Sequence, residues 1–256
     1  MLALVATARS LKSPDMSLPR LIEPEWLDEL PPTDPRAVRS RADLRRVNII
    51  MNNAGILQDC LGKYWTGAAP KIITELGAGD GTFMLALARR FAHKWRSVKV
   101  RLIDRQSSMS ASTEQAFQDL GWTAEYITAD VFAWMVLAQA RTDIIICNLF
   151  LHHLQPQSLE SLLILCAQKS ILFTACEPAR TRLALYGSHM LGVIGCNYVT
   201  RHDAVASVHA GFQQYELSHS WPQSTTGVRS WQLHEHDKGL FNHVFVAQQA
   251  AKLSRA

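Results

Sequence analysis

The residues with the clearest chemical potential lie close together, within positions 72–90. An apolar run ends at Glu75 and is followed by three glycines on alternate positions, Gly77, Gly79 and Gly81, before apolar residues resume at helical spacing. This pattern predicts a strand, a tight turn and a helix. Glycine permits left-handed backbone angles and lets a ligand come close to the main chain. We therefore expect this turn to bind a ligand.

The glycine spacing and the preceding acid indicate the class of ligand. The third glycine comes one residue earlier than in the dinucleotide-binding fingerprint. A carboxylate at Glu75 would also repel a diphosphate, and it suits a cationic or hydroxyl-rich ligand. The pattern thus disfavours a nicotinamide dehydrogenase. A turn of an α/β sheet that binds nothing remains the alternative.

Two further acids end predicted strands. Asp104 follows Gly81 by 104 − 81 = 23 positions, close to the separation at which open α/β sheets place a carboxylate beside a ribose. Its alternative role is that of a turn aspartate. Asp130 ends the next predicted strand, where its carboxylate and the N–H of Val131 could address an adenine edge. A helix N-cap is the alternative for Asp130, and both roles could coexist.

A histidine pair follows the apolar segment 142–149. Parallel sheets bind ligands at the carboxyl ends of their strands, so we expect chemistry near Asn148, His152 and His153. A neutral imidazole suits proton removal from a hydroxyl. Because adjacent side chains should diverge, we expect at most one functional histidine and favour His152. The alternative is that the histidines only pack and hydrogen-bond.

The stretch Glu75-Leu-Gly77-Ala-Gly79-Asp-Gly81, with acids at the next two strand ends, resembles the motifs of Rossmann-like (class I) methyltransferases that use S-adenosylmethionine (SAM). The resemblance implies an α/β fold with a mostly parallel seven-stranded sheet, helices on both faces and a C-terminal antiparallel hairpin. It implies SAM as cofactor and S-adenosylhomocysteine (SAH) as product. The cofactor-binding positions that it implies are Glu75, Gly77, Ala78, Gly79, Gly81, Asp104, Arg105, Asp130, Val131, Asn148 and Leu149.

Segments 30–41, 177–180 and 200–203 narrow the resemblance to bacterial small-molecule methyltransferases found beside polyketide and quinone pathways. This implies a phenolic, quinol or polyketide acceptor that is methylated on oxygen. The segment after Asn148 lacks the Asn-Pro-Pro-Tyr motif of enzymes that methylate amino groups of DNA bases, so a nucleic-acid substrate is disfavoured. A non-catalytic relative that only binds SAM or SAH remains open.

The chain divides into three parts: a disordered extension over 1–18, an N-terminal helical lid over 19–69, and the methyltransferase domain over 70–256. We expect a substrate-lid insertion around 183–211, and a closing hairpin formed by 211–217 and 239–247. Asp34-Pro35 predicts the start of an arginine-rich helix. That helix either packs on the main domain with its arginines exposed to solvent, or covers the active site as a lid.

Composition bounds the remaining function classes. With 48% hydrophobic residues, 256 residues can form a substantial core, and no segment approaches the roughly 18–20 apolar residues of a membrane span. The five cysteines lack C-x-x-C spacing, which predicts reduced thiols, a cytoplasmic location and no metal site. The net charge of +4 permits an anionic partner without requiring one. The oligomeric state stays open, with a homodimer as one option.

Overall fold

The computed structural model describes residues 18–31, 33–106, 109–137, 141–222 and 230–250, so all but the last residue of the extension predicted over 1–18 lies outside the described residues. The strands are β1 (Ile72–Leu76), β2 (Lys99–Asp104), β3 (Thr123–Thr128), β4 (Ile144–Asn148), β5 (Leu172–Pro178), β6 (Trp231–Lys238) and β7 (Asn242–Gln249). The helices are α1 (Trp26–Glu29), α2 (Pro35–Met51), α3 (Asn53–Tyr64), α4 (Thr82–Phe91), α5 (Ala111–Asp119), α6 (Val131–Leu137), α7 (Pro156–Lys169), α8 (Arg182–His189), α9 (Tyr198–Ala210) and α10 (Glu216–Ser220). Short 3₁₀ turns occupy Leu151–His153 and Met190–Gly192.

The seven strands form one sheet in the order β3-β2-β1-β4-β5-β7-β6. Strands β1 to β5 are parallel, whereas β7 runs antiparallel to both β5 and β6. This confirms the predicted fold class. Strand order reverses between β1 and β4, and in open sheets ligands bind in the crevice at the carboxyl ends of the strands beside such a reversal.

The central strands are apolar on both sides because helices cover both faces of the sheet. In β4, Ile144 and Ile146 join the core on one face, and Ile145 and Cys147 join the core on the other. Alternate side chains of a strand point to opposite faces, so a continuous apolar run is what a doubly covered strand requires. The rigid centre of the sheet thereby fixes the ends of β1 and β4.

The N-terminal helices begin as their sequence indicates. Asp34 caps α2 by accepting a hydrogen bond from the Arg36 backbone N–H at 2.8 Å, with Pro35 in the first turn. Asn52 then adopts a left-handed conformation, with φ of 54°, between α2 and α3. This corner turns α3 back so that its first residue, Asn53, meets the end of β4.

Two expected elements differ in the structure. The first strand of the hairpin is β6 and not 211–217, because Glu216 begins α10 and pairs with Arg180. Within the predicted lid insertion, helix α9 begins at Tyr198, and Asn197 is its N-cap because its side chain accepts from the Thr200 N–H. Within the described ranges, no helix combines the length and apolar character needed to cross a bilayer.

Candidate functional site at the carboxyl edge of the sheet

The glycine turn between β1 and α4 has one packed side and one open side. Gly77 and Gly79 both adopt left-handed φ angles, of 72° and 55°. A Cβ at Gly77 would lie 2.3 Å from the Phe150 ring, whereas a Cβ at Gly79 would have no neighbour within 4 Å among the described residues. Gly77 is therefore required by packing. Gly79 faces space that a ligand can enter.

The backbone N–H groups of this turn are already bonded within the protein. Those of Gly77 and Ala78 donate to the Ile103 carbonyl at 2.9 and 3.1 Å. The N–H of Gly79 donates to Asp104 Oδ2 at 2.9 Å. A diphosphate would need such donors free, so the geometry agrees with the sequence argument against a dinucleotide.

Unpaired acceptor oxygens line the buried side of the site. Glu75 is 1% exposed, and its Oε2 has no hydrogen-bond partner among the described residues. Burial, with Asp104 and Asp80 nearby, raises the pKa of Glu75 well above its usual range. Asn53 donates to Asn148 Oδ1 at 2.8 Å, and its own Oδ1 is buried without a described partner. Acceptors without donors suit a ligand that carries an ammonium group.

Asp104 can still bind hydroxyl groups. Its Oδ2 accepts from Gly79 and its Oδ1 accepts from the Gln106 N–H at 3.0 Å. A carboxylate oxygen has two acceptor positions, so each oxygen retains one for a ribose hydroxyl. The structure thus brings Glu75, the glycine turn and Asp104 together at one edge.

Asp130 serves as a helix cap in the structure. Its Oδ1 accepts from the Phe132 N–H at 2.9 Å, and its Oδ2 accepts from the Arg105 guanidinium at 2.7 Å. These bonds lower the pKa of Asp130, with the Arg105 bond as the largest cause. The adenine contacts expected from Asp130 and Val131, and the cofactor contact expected from Arg105, remain predictions.

A strained turn at the end of β4 positions the next residues. Leu149 has a φ of 53°, which costs a non-glycine residue about 1–2 kcal/mol. The buried Glu177 carboxylate from β5 holds this turn, because its Oε1 accepts from the N–H groups of Phe150 and Leu151 at 3.1 and 2.9 Å. Phe150 is thereby placed over Gly77.

The histidine pair converges on one carboxylate. The His152 and His153 rings lie 4.1 Å apart between centroids. Their Nε2 atoms lie 3.5 and 3.4 Å from the Glu25 carboxylate. The expectation that adjacent histidines diverge was wrong, because the 3₁₀ turn places both rings on the same side.

His152 is held as a cation when only protein surrounds it. It is 2% exposed, and its Nδ1 lies 2.8 Å from Glu177 Oε2. Burial lowers the pKa of His152, but the hydrogen bond to Glu177 and the nearby Glu25 carboxylate outweigh burial and raise it to about 9. An imidazolium has no lone pair for a proton, so this arrangement does not favour His152 as the general base, and the choice between His152 and His153 stays a prediction.

The N-terminal segment 18–29 closes the site from outside. Trp26 stacks on His202 of α9, with 3.6 Å between ring centroids. Arg20 donates to the backbone carbonyls of His152 and Leu154 at 3.3 and 3.2 Å. Glu25 also accepts a hydrogen bond from the Ser207 hydroxyl. Sequence reasoning missed Glu25, because nothing local to its proline-rich segment shows that it meets the histidines.

Two recesses lie where segment 18–29 packs against the rest of the protein. The first has a volume of about 230 Å³ and the second about 400 Å³, and both are bordered by Glu23 and Ala206. The residues that line the first are Ile22, Glu23, Pro24, Glu25, Asp28, His152, His153, Gln155, Ala206 and Ala210. Arg180, near the end of β5, binds Glu216 and the Leu18 carbonyl.

A family model described as a methyltransferase domain matches residues 73–168, the part of the chain from β1 through nearly all of α7. A search of curated proteins finds no significant match.

Solved structures share the fold at low sequence identity. An O-methyltransferase family protein from Burkholderia thailandensis is 14% identical to this chain, with a TM-score of 0.57. The match covers 86% of this chain and 61% of the length of that protein. The plantazolicin methyltransferase BpumL, in complex with SAH, is 10% identical with a TM-score of 0.58, covering 85% of this chain and 92% of its own. The pyocyanin biosynthetic protein PhzM is 15% identical with a TM-score of 0.51, covering 85% of this chain and 60% of its own.

Proposed function

We propose that this chain, which carries a methyltransferase domain over residues 73–168, uses SAM to methylate a hydroxyl oxygen of a small-molecule acceptor of the phenolic, quinol or polyketide type. The observation that carries the proposal is the small recess beside His152 and His153, enclosed by the chain's own N-terminal segment just beyond β4. The structural neighbours include proteins named for plantazolicin and pyocyanin biosynthesis, which supports a small-molecule acceptor.

The residues at the carboxyl edge fit the cofactor. The unpaired oxygens of Glu75 and Asn53 would receive its ammonium group, and Asp104 would receive its ribose hydroxyls. The open space beside Gly79 would let the cofactor come close to the main chain. When bound, SAM supplies a methyl group on a positively charged sulfur, so the protein mainly has to align the acceptor and exclude water.

His153 is the histidine that can take the acceptor's proton. Its Nδ1 lies 3.2 Å from the Phe150 carbonyl, which favours a proton on Nδ1 and a lone pair on Nε2. His153 lines the recess, and its Nε2 lies 3.4 Å from Glu25 Oε2. His152 and Glu177 would keep the turn in place and do not exchange protons with the acceptor.

The N-terminal part, 19–69, acts as a lid in this proposal. Helix α2 reaches the glycine turn through Arg45, whose guanidinium lies 3.1 Å from Asp80. Glu25, the residue before α1, and Asp28 of α1 both line the acceptor recess. A strand of nucleic acid would have to displace this cover, which favours a small acceptor. The five buried, unpaired cysteines favour the reducing cytoplasm.

Calorimetric titration with SAH, followed by methyl transfer assays on a panel of phenols and quinols, tests the proposal. We expect SAH binding, and a kcat that falls about 10²–10⁴-fold in His153→Gln with SAH affinity unchanged. The matched control is His93→Gln, since His93 is exposed in the turn that follows α4. A folded wild-type protein that binds neither SAM nor SAH would overturn the proposal. Equal turnover of both variants would show that His153 is not the general base.

A further inference from the structure

We propose that Glu25, His152 and His153 form a binding site for a divalent transition metal ion of the Zn²⁺ type. Each residue offers one ligand atom, and these atoms all lie within 4.8 Å of one another. Two imidazoles and a carboxylate are a donor set that Zn²⁺ and related first-row ions accept. Sequence analysis predicted no metal site because it considered cysteine spacing, whereas this site combines residues from two distant segments.

Two nitrogen–oxygen separations, one to each oxygen of Glu25, match the spacing of ligands that share a cation. The Nε2 atoms of His152 and His153 lie 3.5 and 3.4 Å from Glu25 oxygens. Two ligands at Zn²⁺ bond lengths of about 2.0–2.1 Å in tetrahedral geometry are about 3.4 Å apart. A direct charge-assisted hydrogen bond would be shorter, at about 2.7–2.9 Å.

The other ring nitrogens are oriented as metal-bound histidines require. His152 Nδ1 lies 2.8 Å from the Glu177 carboxylate, and His153 Nδ1 lies 3.2 Å from the Phe150 carbonyl. Such acceptors hold the proton on Nδ1 and direct the Nε2 lone pair to the metal. The Nε2 atom of His153 is buried and makes no hydrogen bond within the described structure.

The charge of the recess also favours a cation. Its lining contains the carboxylates of Glu23, Glu25 and Asp28 together with the two imidazoles. None of these lining residues is a lysine or arginine. The recess of about 230 Å³ leaves space for water or an acceptor oxygen to complete the coordination.

The role of the ion in catalysis rests on the proposed function, whereas its binding does not. An acceptor hydroxyl on the ion would lose its proton to water more readily, because a bound cation lowers the pKa of an attached hydroxyl. In that form of the site His153 is a ligand, and the ion replaces it as the means of ionising the acceptor.

The test is metal binding by the chelator-treated full chain. We expect one Zn²⁺ per chain by calorimetry, and a Co²⁺-substituted protein with the visible absorption of a tetrahedral nitrogen and oxygen site. Glu25→Gln and His153→Gln should each weaken Zn²⁺ binding by more than about 100-fold, while the exposed-site control His93→Gln should bind like wild type.

Circular dichroism establishes that each variant is folded, and SAH titration of the same samples separates the two proposals. Zn²⁺ binding that is absent from the folded wild type, or equal in all variants, would overturn the metal site. Failure to bind SAH or to transfer methyl groups would instead overturn the proposed function, and the Zn²⁺ result would still stand.

Discussion

Replacing Gly79 by alanine should separate ligand binding from stability. Gly79 and Gly239 both have left-handed φ angles, of 55° and 68°, and a Cβ at either would have no neighbour within 4 Å in the described part of the chain. Gly239 lies in the turn between β6 and β7, far from the proposed cofactor site along the sheet. Gly239→Ala is therefore a matched control for backbone strain.

The expected magnitudes follow from this geometry. Each alanine should cost about 1–2 kcal/mol of the free energy of unfolding, the penalty of a left-handed non-glycine residue. Gly77→Ala should cost about 1–3 kcal/mol more, because its Cβ would lie 2.3 Å from the Phe150 ring and overpack the site. In Gly79→Ala alone, the new methyl group would occupy ligand space, so SAH affinity should fall at least about tenfold, or 1.4 kcal/mol.

Thermal unfolding and calorimetric titration with SAH measure the two effects separately. Gly79→Ala and Gly239→Ala should melt at similar temperatures, about 2–4 °C below wild type for each kcal/mol lost. Only Gly79→Ala should lose SAH affinity. If both variants bind SAH alike, Gly79 does not face the cofactor and the assignment of its open side is refuted.

Three further predictions concern titratable groups. Asp104→Ala should weaken SAH binding about 10–100-fold by calorimetry, since hydrogen bonds to a charged group contribute about 1.5–3 kcal/mol; an unchanged affinity would refute the ribose role. Glu75→Gln should raise the melting temperature of the ligand-free protein at neutral pH and should weaken SAH binding. The pKa of Glu75 is raised in the folded state, so the folded protein loses stability as the pH rises above the ordinary pKa of a glutamate, and glutamine avoids this loss. A lower melting temperature would contradict this. Burial lowers the pKa of His243, but hydrogen bonds to Asp237 and Glu235 raise it to about 9, so its contribution of up to about 3 kcal/mol is full below pH of about 6.5 and is lost as pH rises through 9. Between these two pH values, the free energy of unfolding measured with denaturant should fall more steeply with pH for wild type than for His243→Gln. Equal pH dependence of the two proteins would contradict the raised pKa of His243.

The parts of the site set by neighbouring residues could be predicted from sequence. Alternate glycines after an apolar run admit few backbone paths, and the structure places Gly77, Gly79 and Asp104 as that spacing indicates. The sheet was predictable for the same reason, because continuous apolar runs such as β4 require cover on both faces.

The parts set by distant contacts could not be predicted. Glu25 meets His152 across 152 − 25 = 127 positions, and its own segment shows only prolines and mixed charge. The alternation of residues at 212–217 is typical of a strand. In the structure, however, Glu235 of β6 accepts hydrogen bonds from the N–H groups of Leu217 and Ser218, and these bonds hold α10 in place. In both cases a tertiary hydrogen bond decides the outcome.

The docking of segment 18–29 onto α9 also fixes an order of assembly during synthesis. Trp26 and Glu25 leave the ribosome first, but their partners His202 and Ser207 are made about 180 residues later, which at about 5–20 residues per second is a wait of roughly 10–40 seconds. The residues proposed to bind the cofactor, from Glu75 to Leu149, are all synthesised before α9. The acceptor recess therefore cannot close until after every one of these cofactor residues has been made.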